Sequence, residues 1–154
     1  MTEAVKRSVV EAFYQAYAAR DARKVAEFLD DNVEWTISGP VDLLPFCGTK
    51  HGKAAVLDLI ERLVPESMHV VSFTPDAIVV DGDQAATLNR LVATRSGDNR
   101  VITYRLAHFM RFRDGKVIRN LSLLDSFDAA EQVLGRPLAV DEGRPAQMGN
   151  LVAI

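Results

Sequence analysis

Residues 88–125, LNRLVATRSGDNRVITYRLAHFMRFRDGKVIRNLSLLD, decide the fold. They read as alternating runs at 88–95, 101–113 and 117–125, separated by Ser96-Gly97-Asp98-Asn99 and Arg113-Asp114-Gly115-Lys116. Alternation bounded by Gly, Asp and Asn predicts three antiparallel strands joined by two hairpins. A two-residue turn at Asp114-Gly115 pairs Arg113 with Lys116, and by extension His108 with Leu121 and Tyr104 with Asp125. A turn at Gly97-Asp98 pairs Ser96 with Asn99, and so Asn89 with Leu106 and Leu91 with Tyr104. Since side chains alternate between sheet faces, one face would carry Thr87, Asn89, Leu91, Tyr104, Leu106, His108, Met110, Leu121, Leu123 and Asp125. That is an apolar surface with strong polar groups set into it, the expected wall of a pocket. The opposite face would carry Leu88, Arg90, Val92, Arg105, Ala107, Phe109, Arg111, Asn120, Ser122 and Leu124, a mixture that predicts a subunit interface.

Working outward, residues 3–19 place Val5, Val9, Ala12, Phe13, Ala16 and Tyr17 at helical spacing. Asp21 is positioned to cap a shorter helix that buries Val25, Phe28 and Leu29 and ends at Asp30-Asp31-Asn32. Residues 33–37 alternate as a strand. The loop 38–51 is apolar enough at Leu43, Leu44, Pro45 and Phe46 to fold inward. Residues 52–63 predict a third helix stopped near Pro65, and residues 70–80 another strand, turned at Asp81-Gly82-Asp83. A short helix after Asp125 ends at Gly135. Helices segregated before long strands predict an α+β domain over residues 1–135: a cone in which three helices from the N-terminal half pack on a curved, mostly antiparallel sheet and enclose a pocket. Residues 136–154 read as a tail.

The chain of 154 residues is 48% apolar and 25% charged, an ordinary globular composition that allows one domain with a real core. Its net charge of −3 and scattered basic residues argue against a nucleic-acid surface. Cys47 is the only cysteine, which excludes an internal disulfide and a Cys-rich zinc site. No apolar run has signal-peptide or membrane-spanning character, so a cytoplasmic protein with no membrane partner is expected. His51 and His69 fall at loop or strand-edge positions. No His/Asp/Glu set has metal-ligand spacing and the glycines form no phosphate cradle, so neither a metal nor another cofactor is expected.

Tyr17-Ala18-Ala19-Arg20-Asp21, Asp31-Asn32-Val33-Glu34-Trp35, His51-Gly52-Lys53-Ala54-Ala55-Val56, Asp81-Gly82-Asp83 and residues 108–117 (HFMRFRDGKV) resemble, in order and spacing, the SnoaL-like and ketosteroid-isomerase-like branch of the nuclear transport factor 2 superfamily. The resemblance runs over residues 5–135. It implies the cone-shaped scaffold, which serves isomerases, cyclases, hydrolases, dehydratases and binding proteins. Ketosteroid isomerases use a carboxylate base with an oxyanion hole of tyrosine and protonated aspartate, and those positions are occupied here by Ile37, Phe13 and His108. Steroid isomerisation by that machinery is therefore disfavoured. In the epoxide-hydrolase-like pattern, Asn89 and Leu91 replace an arginine and an aspartate, while Asp125 matches the second aspartate. SnoaL-like polyketide cyclases are matched better, with a histidine at His108 and a carboxylate at Asp125.

Asp125, if set among Leu91, Leu121 and Leu123, would be costly to bury as an anion and suited to take up a proton; the bland alternative is a half-exposed strand end capping the next helix. His108 stands roughly 13 Å along the strand from the point opposite Asp125, so the two would bracket a substrate, His108 donating to a developing enolate. Asn89 and Tyr104 would orient a carbonyl or a water, and Trp35, Phe46, Tyr14 and Tyr17 would supply aromatic walls. The leading expectation is a cofactor-independent isomerase, cyclase or lyase acting on a small apolar ring or carbonyl compound, with Asp125 and His108 catalytic and Asn89, Tyr104, Trp35, Phe46, Tyr17 and Leu91 holding substrate. The alternatives are a non-catalytic binding protein and epoxide-hydrolase-like water activation by Asp125. A homodimer through the outer sheet face is expected in each case.

Overall fold

The structure, a computed structural model, describes residues 3–139. Helix α1 (Arg7–Ala18) sets Val10, Phe13, Tyr14 and Tyr17 on one buried stripe at the i, i+3, i+4, i+7 spacing of an amphipathic helix. It begins later than the periodicity predicts, because the Val5 amide bonds the Gly82 carbonyl at 2.9 Å instead of starting a turn. Asp21 does cap α2 (Ala22–Glu27), accepting from the Lys24 amide at 3.2 Å. Asp30-Asp31-Asn32, expected to end that helix, lie within β1 (Leu29–Ile37).

The loop that follows folds inward as predicted, burying Leu44, Phe46 and Cys47, and leads to β2 (Gly48–His51). Helix α3 (Lys53–Asp58) passes through a π-helical turn (Leu59–Leu63) into α4 (Val64–Ser67). The helical path therefore outruns the expected stop: Pro65, which has no amide hydrogen to give, sits in the first turn of α4, where none is required.

Strands β3 (Met68–Asp81), β4 (Gln84–Arg95), β5 (Val101–Arg113) and β6 (Lys116–Leu124) complete a six-stranded sheet in the order β2-β1-β6-β5-β4-β3. Its pairings are antiparallel except β1 with β6. Helix α5 (Ser126–Leu134) follows and ends, as expected, on left-handed Gly135. The result is the α+β cone: α1, α2 and α3–α4 cover the concave face of a curved, unclosed sheet, and the core lies between. Of the predicted tail, residues 140–154 lie outside the described residues.

Register is where reading and structure part. The β4–β5 pairing is the predicted one, Asn89 opposite Leu106 and Leu91 opposite Tyr104, although its connection is longer, with Asn99 in the left-handed conformation and the hairpin closed by Arg95 N to Arg100 O at 2.7 Å. The β5–β6 turn is also as predicted, with Asp114 and Gly115 both at positive φ and Arg113 opposite Lys116. Two residues on, however, a β-bulge leaves Ile118 unpaired: Phe112 opposes Val117, but Arg111 opposes Arg119. A slip of one residue turns every later side chain to the other face. Asn120, Ser122 and Leu124 consequently face inward, while Leu123 is 44% exposed.

On the convex side Arg90 and Arg105 both pair with Asp76, at 2.6 and 3.7 Å, and Arg111 pairs with Asp83 at 2.9 Å. These pairs hold the arginines of the mixed face flat beside exposed Val79, Leu88 and Phe109. Among the described residues no helix is long and apolar enough to cross a membrane.

Candidate functional site

Strands β4 and β5 deliver Thr87 opposite His108, Asn89 opposite Leu106 and Leu91 opposite Tyr104 to the concave face, and α1 lays Tyr14 and Tyr17 over them. Asn89 Nδ2 donates to Thr87 Oγ1 at 2.9 Å, Thr87 Oγ1 lies 2.5 Å from the Tyr14 hydroxyl, and that hydroxyl lies 2.9 Å from His108 Nδ1. Either hydroxyl of this relay can be the donor to the other, and the direction of the chain fixes which His108 nitrogen carries the hydrogen: Tyr14 donating to Nδ1 leaves it on Nε2.

His108 is fully buried in an aromatic cage. Tyr14 and Phe73 stack on it at 5.9 and 5.6 Å between ring centres, and Tyr17 and Trp35 meet it edge-on at 6.0 and 6.1 Å. With no counter-charge inside the cage, desolvation pushes its pKa down to about 3. The imidazole is neutral at physiological pH and acts as a hydrogen-bond donor, not as a cation. Burial likewise pushes the Tyr14 and Tyr104 phenols well above their ordinary range.

In front of this cage lies a cavity of about 30 Å³, lined by Tyr17, Arg20, Phe46, Phe73, Leu91 and Tyr104 with aliphatic neighbours that include Ile37 and Leu124. That is room for a water or so. Tyr17, Phe46, Leu91 and Tyr104, predicted to hold substrate, do line it. Trp35 and Asn89, predicted with them, and His108, predicted as catalytic, do not line it; Tyr17 packs against Trp35 and His108, and Phe73 against His108.

Several buried polar atoms here have no hydrogen-bond partner: Arg20 Nη2, Trp35 Nε1, Asn89 Oδ1, His108 Nε2 and Asn120 Oδ1. Native interiors contain few such atoms, and three of these residues adjoin one another, Trp35 meeting the His108 ring and pairing with Asn120 across β1 and β6.

Asp125 is the correction. It is exposed, and its carboxylate caps α5, accepting from the Asp128 amide at 3.1 Å. The bulge at Ile118 is the physical cause: the slip makes Leu124 the last paired residue, opposite Leu106, and leaves Asp125 past the end of the sheet instead of opposite Tyr104. Leu121 and Leu123 go with it. In their place the concave face receives Ser122, directly opposite His108, and Asn120, whose amide donates to Ser122 at 3.0 Å. Neither was legible in the sequence, since an unbroken hairpin puts both outside.

The sequence profile of the SnoaL-like domain matches residues 10–120. A proposed isomerase from Rhodopseudomonas palustris is 36% identical, with 82% of this chain and 93% of that one covered and a TM-score of 0.71. A nuclear transport factor 2-like protein from Burkholderia pseudomallei is 26% identical over 82% and 95% of the two chains, with a TM-score of 0.72. TerC, co-crystallized with polyporic acid, shares the fold at 21% identity, covering 82% and 96%, with a TM-score of 0.74. No curated protein matches the sequence significantly. Residue pattern, cone and profile agree: the chain belongs to the SnoaL-like domain family of the nuclear transport factor 2-like fold.

Proposed function

We propose that the chain binds a small, mostly apolar cyclic molecule in the cone cavity and does so without carboxylate acid/base chemistry. The observation that carries this reading is the lining: aromatic and aliphatic side chains with a single charged group, Arg20, and no Asp or Glu. Drug-sized ligands occupy roughly 300–1,000 Å³, so entry requires the cover to move outward. The part of the wall most able to do so is Phe46 on the 38–47 loop and Val64, where the π-helical turn passes into α4, since the other lining residues stand on α1, on the turn that closes it or on paired strands.

Trp35 is the only tryptophan and packs 5.9 Å from Tyr17 of the wall, so its fluorescence reports on filling of the cavity. Titration with cyclic ketones, lactones, phenols and epoxides, with NMR of the recovered ligand, tests the proposal. Saturable change in Trp35 emission with the ligand returned intact supports it, and silence across every compound would sink it.

A second reading is isomerase activity, favoured by the 36% identity to the Rhodopseudomonas palustris protein. In that case the neutral imidazole, as its Nε2–H tautomer, would polarise a substrate carbonyl once Tyr17 swings aside, since Nε2 has no other partner among the described residues. Turnover abolished by His108→Phe is its signature. We also propose that a second copy of the chain covers the convex face around Phe109 and Leu123.

A further inference from the structure

Arg20 follows α1 in a Schellman turn, with Arg20 N bonded to Tyr17 O at 3.1 Å and Asp21 N to Ala16 O at 3.2 Å. The residue at this point takes a left-handed conformation, here φ +54°, which a glycine adopts at no cost and an arginine does not. The guanidinium lies over the Tyr17 ring, 5.1 Å from its centre, and reaches the cavity wall. Its Nη2 is buried without a hydrogen-bond partner, and among the described residues no carboxylate is within ion-pair distance of it.

Across the cavity Tyr104 is close enough for the Arg20 charge to act on its phenol. Among the described residues the Tyr104 hydroxyl bonds only the Met68 thioether sulfur at 3.5 Å, a weak acceptor that it can give up for an anionic oxygen. The cavity therefore sets a half-buried guanidinium, its Nη2 buried, against a hydroxyl donor on the far side, and the rest of the lining is apolar apart from the Tyr17 phenol. A neutral ligand would leave the cation unpaired; a carboxylate satisfies both donors, and planar carboxylates suit a guanidinium well.

Resting on the cavity-binding reading, we propose that the ligand is a small ring-bearing carboxylic acid, bound as its anion with the carboxylate between Arg20 and Tyr104 and the ring among Phe46, Phe73 and Leu91.

The test uses the full chain and three matched pairs of probes: cyclopentanecarboxylate, cyclohexanecarboxylate and phenylacetate, each with its primary amide, followed by Trp35 emission and thermal shift. Wild type is expected to hold at least one acid about tenfold or more tightly than its amide, the range of a charge-assisted hydrogen bond. Arg20→Gln should lose that preference while keeping its affinity for the amide, and Arg20→Lys should retain the preference, so a poorly folding Gln variant still leaves the wild-type and Lys comparisons. Equal binding of acids and amides by wild type, with Arg20→Gln indistinguishable from it, would overturn the carboxylate assignment and leave cavity binding standing. Binding of no probe would overturn the carboxylate assignment, and the neutral panel above then decides separately whether the cavity binds at all.

Discussion

At the scale of single residues, the buried relay makes two predictions. His108 binds no proton in the folded chain until about pH 3, whereas an unfolded histidine does so near 6.5. The unfolded state thus takes up the extra proton, and the stability present above about pH 6.5 is lost as the pH falls toward 3. Between pH 7.5 and 5 the loss from this one group is about 2 kcal/mol. Urea unfolding of wild type and His108→Phe at both values should show a steeper fall for wild type by about that amount; equal slopes would mean that the imidazole is not held neutral. Thr87→Val, nearly isosteric, strands the Asn89 amide and takes from the Tyr14 hydroxyl one of its two partners. It should cost about 1–3 kcal/mol in the same assay, as expected for buried donors left unpaired.

At the scale of elements, Asp125 belongs to α5. Asp125→Ala should destabilise the protein by about 1 kcal/mol, Asp125→Ser should recover most of that, and neither should alter ligand binding. Loss of binding in both variants, at intact stability, would return Asp125 to the site. The error in placing it was small and local. Turn chemistry at Asp114-Gly115 was read correctly, and one extra residue at Ile118, flanked by residues that suit a strand equally well on either face, reversed the rest of β6. The β4–β5 hairpin had a different connection from the predicted one yet the same register, because lengthening a loop by one residue on each side leaves the pairing unchanged.

At the scale of the whole molecule, the convex face sets Phe109 at 51% and Leu123 at 44% exposure beside Arg90, Arg105 and Arg111, which are paired with Asp76 and Asp83. A partly apolar face whose charges are mostly paired is suited to self-association. Sedimentation velocity at micromolar concentration should give a dimer, and Phe109→Glu should shift it toward monomer; a wild-type monomer would remove the second copy from the proposal. The cone itself follows from patterns of period 3.6 and 2 that any neighbourhood would respect: the α1 stripe, the Asp21 cap, the inward loop at Leu44 and Phe46, and the alternation along β4 and β5 placing Asn89, Leu91, Tyr104 and His108 on one face. Those patterns are local in the chain, so local reading sufficed.

Contacts between distant segments decided the remainder. A bulge depends on how two strands twist together, so only the folded hairpin could bring Asn120 and Ser122 in and leave Asp125 outside. The split between cavity-lining Tyr17 and Tyr104 and the caged His108 arises because rings from α1 and β3 pack over a histidine on β5. In the sequence Arg20 is part of the motif that closes the first helix, with nothing local to mark it as a cavity residue. Its Nη2 is buried and unpartnered only because α1 docks that end against the cavity, with the guanidinium over the Tyr17 ring.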